Sequence, residues 1–132
     1  HAALAIAGEV LRQNYDVIYV SCPDFFGKLE ALHFGTDPGG EEETLFQTAC
    51  NADLLILDDL GTEMTTTFVQ SALYQIINGR LMEKRSTIIS TNLAPEEIGS
   101  RYGRSVLSRL EGEYEILPFF GEDIRRLKRE RQ

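Results

Sequence analysis

The sequence predicts an α/β domain with a mainly parallel sheet, and three observations lead there. The apolar runs "VIYV", "LLIL" and "TIIS" alternate with amphipathic stretches of helical length, the pattern of strands joined by helical crossovers. The runs are continuous rather than every-other-residue, as in strands covered on both faces. At 132 residues, 42% hydrophobic and 26% charged, the chain suits one domain around a single core.

Each element follows in order. "HAALAIAGEVLRQN" is apolar at 3, 4, 6, 7, 10 and 11, a helical period, but it begins without a cap or a preceding turn. We therefore expect this helix to have been cut from something longer. "DVIYVS" is a strand and "PDFFGKLEALHF" a helix. "GTDPGG" is a loop, and "EEETLFQTACN" a helix with its carboxylates in the first turn, where the helix dipole favours them. "DLLILD" is the second strand, "TTTFVQSALYQIINGRLMEK" a long amphipathic helix, and "STIISTN" the third strand. "APEEIGS" and "RYGRSVLSRLE" are a short and a longer helix, "YEILPF" a fourth strand and "EDIRRLKRERQ" a terminal helix. No repeat or low-complexity segment interrupts this order.

Composition excludes some functions. No apolar run approaches the ~20 residues a membrane-spanning helix needs, and no basic then apolar leader opens the chain. Cys22 and Cys50 form neither a CxxC pair nor a zinc-ligand pattern and are expected as buried, reduced thiols. A cytoplasmic location is the expectation, without a membrane partner. The net charge of −8 argues against a dedicated nucleic-acid binder. Residues 1–79 carry 2 basic and 12 acidic side chains, residues 80–132 carry 11 and 9. The basic groups gather where they can face an anion such as a phosphate, or serve as ordinary helix-surface charge.

The stretch "LLILDDLGTE" carries the chemistry. Four apolar residues end in Asp58 and Asp59, and a buried carboxylate is costly unless something positive or a donor set meets it. In open α/β sheets ligands bind at the carboxyl ends of the strands, where Asn92 also ends "STIISTN". An acid pair there suits a hydrated magnesium ion, which prefers one or two carboxylates plus phosphate oxygens. The second acid then orients or deprotonates a water that attacks a phosphate. The competing reading is a strand-end carboxylate that caps a nearby helix.

Taken in order, "LLILDDLGTE", "STIISTN", "SVLSRLEG" and "PFFGEDIRR" resemble the ATPase domain of bacterial replicative-helicase loaders of the DnaC/DnaI type. The IstB-like transposase helper ATPases share this pattern, and both groups belong to the AAA+ superfamily. The resemblance implies a three-layer P-loop NTPase fold with sheet order 5-1-4-3-2, and it covers nearly the whole chain, 1–132, as a single AAA+ core fragment. It implies ATP and Mg²⁺ as cofactors. Asp58 is then the metal-associated carboxylate of Walker B, and Asp59 stands where many AAA+ proteins have the catalytic glutamate. Asn92 matches sensor 1, and Arg109 matches the arginine finger that reaches a neighbouring subunit's nucleotide. Arg125 matches the sensor 2 arginine, with Arg126 beside it as the alternative on a helix shifted by one residue. Arginine suits these roles because its planar fork donates two hydrogen bonds at once to phosphate. Without the resemblance, Arg109 reads as a partner for Glu111 or Glu113.

Three parts of such an ATPase are not in these residues. There is no GxxxxGK[ST] loop, the glycine-rich cradle for phosphates, and His1 falls just after its expected lysine and threonine. The first strand and the N-terminal helicase-binding region are expected upstream. We therefore expect an inactive fragment of an active ATPase. Without the first strand, the strands ending at Val20, Asp58 and Thr91 still pair side by side. "YEILPF" then closes onto the "TIIS" edge, is displaced, or pairs with another chain.

Other side chains have two readings each. Phe25, Phe26 and Phe34 either stack on single-stranded DNA or, for at least two of them, pack in the core. Only Lys28 supplies positive charge near them, and Glu41, Glu42 and Glu43 oppose a phosphate backbone. His33 reads as a surface or half-buried side chain. Arg80, Lys84 and Arg85 form a subunit or DNA contact, or simply favour the end of their helix. The function expected is an ATP-dependent loader of the replicative helicase, assembled head-to-tail. The alternatives are a transposase helper with the same chemistry, and a non-hydrolytic interaction module.

Overall fold

A computed structural model describes Gly8 and residues 15–115. Apart from Gly8, the sequence-predicted first helix lies outside the described residues, as do most of "YEILPF" and the terminal helix. Three strands, β1 (Val17–Ser21), β2 (Leu54–Leu60) and β3 (Ser86–Thr91), form a parallel sheet in the order β1-β2-β3. This is the side-by-side pairing expected of them. Between the strands run α1 (Cys22–Phe34), α2 (Glu41–Asn51) and α3 (Thr67–Met82), and α4 (Pro95–Tyr102) and α5 (Arg104–Glu113) follow β3.

Burial explains the central strand. Leu54, Leu55, Ile56 and Leu57 are at most 3% exposed, so both faces of β2 are covered, as its unbroken apolar run requires. Leu55 and Leu57 join the main core with Phe25, Phe26 and Leu29 of α1 and Leu73, Ile76 and Ile77 of α3. On the other face Leu54 and Ile56 pack with Val17 and Ile88.

Local chemistry sets the helix ends. α1 begins with Pro23 in its first turn, where a missing N–H costs nothing. At α2 the cap comes from Asp37, whose two carboxylate oxygens accept the N–H groups of Glu41 at 2.7 Å and Glu42 at 2.9 Å. Gly40 supplies the left-handed turn, φ 68°, that this geometry needs. Thr66 caps α3 by accepting the Val69 N–H at 3.2 Å. The predicted break between the last two helices falls later than expected. α4 continues through Tyr102, and Gly103 at φ 98° makes the turn into α5.

Arg80 is 0% exposed, and its place rules out the DNA or subunit contact considered for it. Its guanidinium donates to the carbonyls of Ala49 (2.8 Å), Cys50 (3.0 Å) and Ala52 (2.8 Å), to Ser86 O (2.7 Å) and to Thr87 Oγ1 (2.8 Å). The last carbonyls of α2, which have no intrahelical partner, thus meet a cation, the favourable sign at a helix C-terminus. Burial pulls its pKa below the usual arginine range. Arg85 continues the clamp with a 2.9 Å bond to Asn51 O, while Lys84 is exposed.

Tyr114, the first residue of "YEILPF", is not in a strand. It closes α5 through its N–H to Leu110 O at 3.1 Å and packs half-buried against the core. Among the described residues no strand pairs with the outer edge of β3.

Candidate functional site

The acid pair sits inside β2 rather than at its end. The strand runs two residues past the predicted "DLLILD" because Leu60 returns to the core at 1% exposure and pairs with Thr91. Between the pairs Leu57–Ile89 and Leu60–Thr91, β2 spends one residue more than β3. This is a β-bulge, a device common beside functional sites. The extra residue is absorbed at Asp59, whose φ of 57° is left-handed. Aspartate tolerates that conformation better than most residues, and it leaves Asp59 exposed while Asp58 stays half-buried.

Ser90, opposite the bulge, serves both aspartates. Its hydroxyl donates to Asp58 Oδ1 and accepts the Asp59 N–H at 3.1 Å. On the other side Tyr19 of β1 donates its phenol to Asp58 Oδ2. The Ser90 bond, then the Tyr19 bond, hold the Asp58 carboxyl below the usual carboxylate range against the opposing effect of burial. The same bond, with the neighbouring carboxylates, pushes the Tyr19 phenol up to about 12, so it stays a donor at neutral pH. Neither Tyr19 nor Ser90 stands out in the sequence. The signal for Ser90 was a polar residue within an apolar strand, and for Tyr19 the strand register alone.

The loop after the pair is tied down. Gly61 has φ 108°, and a Cβ there would meet Leu93 Cδ1 at 2.6 Å. Its N–H donates to Glu63 Oε2 at 3.0 Å and its carbonyl accepts from Arg101. Glu63, 8% exposed, also accepts the Tyr102 hydroxyl. The loop is thereby fastened to α4. Burial, then the Glu63 carboxylate, push the Tyr102 phenol up. Cys22 is buried, and desolvation, with Glu63, Asp58 and Asp59 nearby, raises its thiol, so it is a packing group rather than a nucleophile. Cys22 and Cys50 are both free thiols.

Asn92 follows β3 directly and is exposed. Leu60 pairs with Thr91, so Asn92 lies at the same sheet end as the acid pair. Arg109 is elsewhere, half-buried on α5, a helix packed chiefly on α3 and α4. It forms no ion pair with Glu111 or Glu113 among the described residues. Arg125 and Arg126 lie outside the described residues.

The donor set fits a hydrated magnesium ion. Each Asp58 oxygen accepts one hydroxyl and keeps further lone-pair capacity, and the carboxylate is ionised at neutral pH. Among the described residues no group of three or more His, Cys, Asp or Glu side chains converges on a metal position. Asp58 is the residue that would hold the ion.

Phe25 and Phe26 are core residues, as expected, while Phe34 is 72% exposed. His33 is exposed, with Nδ1 3.0 Å from Glu42 Oε2 and its ring 4.7 Å from the rings of both Phe34 and Phe68. Among the described residues no helix is long and apolar enough to cross a membrane.

The parallel three-stranded sheet with its covering helices is an α/β fold similar to that of AAA+ P-loop ATPase domains. Solved structures agree on that fold. The structure of the DnaC helicase loader superposes with a TM-score of 0.66 at 25% identity, over 79% of this chain and 61% of that one. A replication initiator DnaA bound to AMPPCP and single-stranded DNA superposes at 0.72 and 22% identity, over 92% and 39%. The chain belongs to the family of IstB-like ATP binding proteins, whose model matches residues 1–132. Relatives include YdaV of Escherichia coli K12, uncharacterized, 33% identical over 110 residues, which are 83% of this chain and 43% of YdaV. The replicative helicase loader DnaC of the same strain is 28% identical over 110 residues, 83% of this chain and 44% of DnaC. The chain thus spans less than half the length of these relatives.

Proposed function

We propose that these residues are the core fragment of an AAA+ ATPase that binds ATP with Mg²⁺, hydrolyses it in a head-to-tail assembly, and loads the replicative helicase onto DNA. The observation that carries the reading is the bulge at Asp58 and Asp59, at the same carboxyl end of the sheet as Asn92, in a chain of an ATP-binding family. The curated relatives it matches are longer than this chain, and part of the proposal is a glycine-rich phosphate loop in the full-length protein. Its location is taken as cytoplasmic.

The roles follow from position and chemistry. Asp58, ionised and clamped, would hold the hydrated cation, which would neutralise phosphate charge when bound. Asp59, exposed at the bulge, accepts the proton of the water that attacks the terminal phosphorus. Asn92 orients that water or the terminal phosphate. Arg109, on a helix packed on α3 and α4, reaches the site of the next subunit, where a trans arginine is worth ~10³–10⁵ in rate. Arg125 contacts phosphate in its own subunit. Single-stranded DNA is the proposed polymer inside the assembly, and Phe34 is the remaining aromatic for stacking now that Phe25 and Phe26 lie in the core.

The family match also favours a second reading, a transposase helper with the same chemistry and a different client. Hydrolysis assays on the full-length protein test the shared chemistry. Asp59→Asn is expected to lose about 10²-fold or more in turnover while still binding ATP. Capture by the replicative helicase or by a transposase then decides the client. Absence of both magnesium-dependent hydrolysis and ATP binding in the wild type would leave a non-hydrolytic interaction module.

A further inference from the structure

Two hydroxyls, one from each strand flanking β2, converge on one carboxylate. Tyr19 on β1 donates to Asp58 Oδ2, and Ser90 on β3 donates to Oδ1. Register builds this arrangement. Ser90 occupies the short interval of β3, Ile89 to Thr91, that faces the long interval of β2, Leu57 to Leu60. One side chain therefore stands opposite both aspartates, and its oxygen also accepts the Asp59 N–H at 3.1 Å. With both oxygens engaged the carboxylate plane is fixed, although each oxygen can still accept another donor or a cation's water.

We infer that Tyr19 and Ser90 are positioning residues for the cation site: together they preset Asp58 for the hydrated divalent ion that accompanies ATP, and Ser90 also sets the backbone that turns Asp59 outward. The inference rests on the reading of Asp58 as the metal-associated carboxylate. A free aspartate rotates broadly about its terminal torsion, and the loss of that freedom is charged to ligand binding unless the side chain is ordered beforehand. Groups that orient a metal-holding carboxylate commonly matter nearly as much as the carboxylate itself. Tyr19 is 47% exposed, so removal of its hydroxyl leaves the core intact.

The test is Mn²⁺ affinity, read by electron paramagnetic resonance on the full-length protein with AMPPCP at saturation. Wild type is compared with Tyr19→Phe, Ser90→Ala, Ser90→Thr and Asp58→Asn, and melting temperature and metal-free AMPPCP affinity are measured for each. Tyr19→Phe and Ser90→Ala are each expected to weaken Mn²⁺ by about 10-fold with metal-free nucleotide affinity unchanged. Ser90→Thr, which keeps the hydroxyl, restores it. Wild-type Mn²⁺ affinity in both Tyr19→Phe and Ser90→Ala, with Asp58→Asn impaired, would overturn the inference and leave the cation reading standing. Wild-type affinity in Asp58→Asn would overturn both. If Ser90→Ala does not fold, Tyr19→Phe alone decides.

Discussion

The Ser90 hydroxyl joins the two aspartates of the site: it donates to Asp58 Oδ1 and accepts the Asp59 N–H at 3.1 Å. Because this bond is the largest cause of the depressed Asp58 pKa, stability should depend on pH through it. A folded-state pKa below the unfolded value, about 3.9 for aspartate, adds stability that is present above that value. It is lost as pH falls through the lower, folded one. Ser90→Ala is therefore expected to cost about 1 kcal/mol at neutral pH, the low end for a bond to a charged group because Asp58 is half-buried. The cost should shrink in acid below the carboxylate range. Denaturant unfolding of both proteins across pH checks this.

Arg80 predicts a large structural effect. Arg80→Met keeps much of the volume but leaves the carbonyls of Ala49, Cys50, Ala52 and Ser86 without the donor they share. Buried acceptors left unpaired cost about 1–3 kcal/mol each before relaxation, so a net loss of about 3–5 kcal/mol is expected. Thermal unfolding measures it, and Arg80→Lys should recover only part, since an ammonium cannot reproduce the planar fork.

Gly61→Ala should also destabilise, by about 2 kcal/mol or more. Its φ of 108° disfavours a side chain, and the added Cβ would lie 2.6 Å from Leu93 Cδ1. Leu93→Ala in the same chain removes the clash but not the strain, so the double variant should lose less than the sum of the two single changes.

At Asp59 stability and activity should separate. Its φ of 57° suits Asn, Asp and Gly, and other residues pay about 1–2 kcal/mol there. Asp59→Asn is expected to unfold at nearly the wild-type denaturant midpoint while losing hydrolysis. Asp59→Glu, which lengthens the acid by one methylene, should unfold earlier.

What was legible in the sequence was what periodicity encodes. The continuous runs around Ile18, Ile56 and Ile88 became the three parallel strands, and "EEETLFQTACN" became α2 with the predicted bounds. The acid pair was legible because two charges interrupt a buried run. The bulge was not, since one extra residue in a strand leaves no periodic trace until the partner register is known. Arg80 was misplaced because, at the polar end of an amphipathic helix, a buried clamp and a surface cation look alike. Asp37, three residues before Gly40, capped α2 through chain geometry that no local pattern displays.

Under the proposed reading, Asp58 and Arg109 serve one site shared between two subunits. ATP hydrolysis by the full-length protein tests it directly, with Asp58→Ala and Arg109→Ala measured separately and mixed, in the presence and absence of single-stranded DNA. Each variant alone is expected to be inactive and the mixture to regain activity, because a subunit with an intact acid pair can then meet an intact arginine. Two inactive variants that stay inactive when mixed would contradict a shared site, and full activity in Arg109→Ala alone would remove the arginine from it.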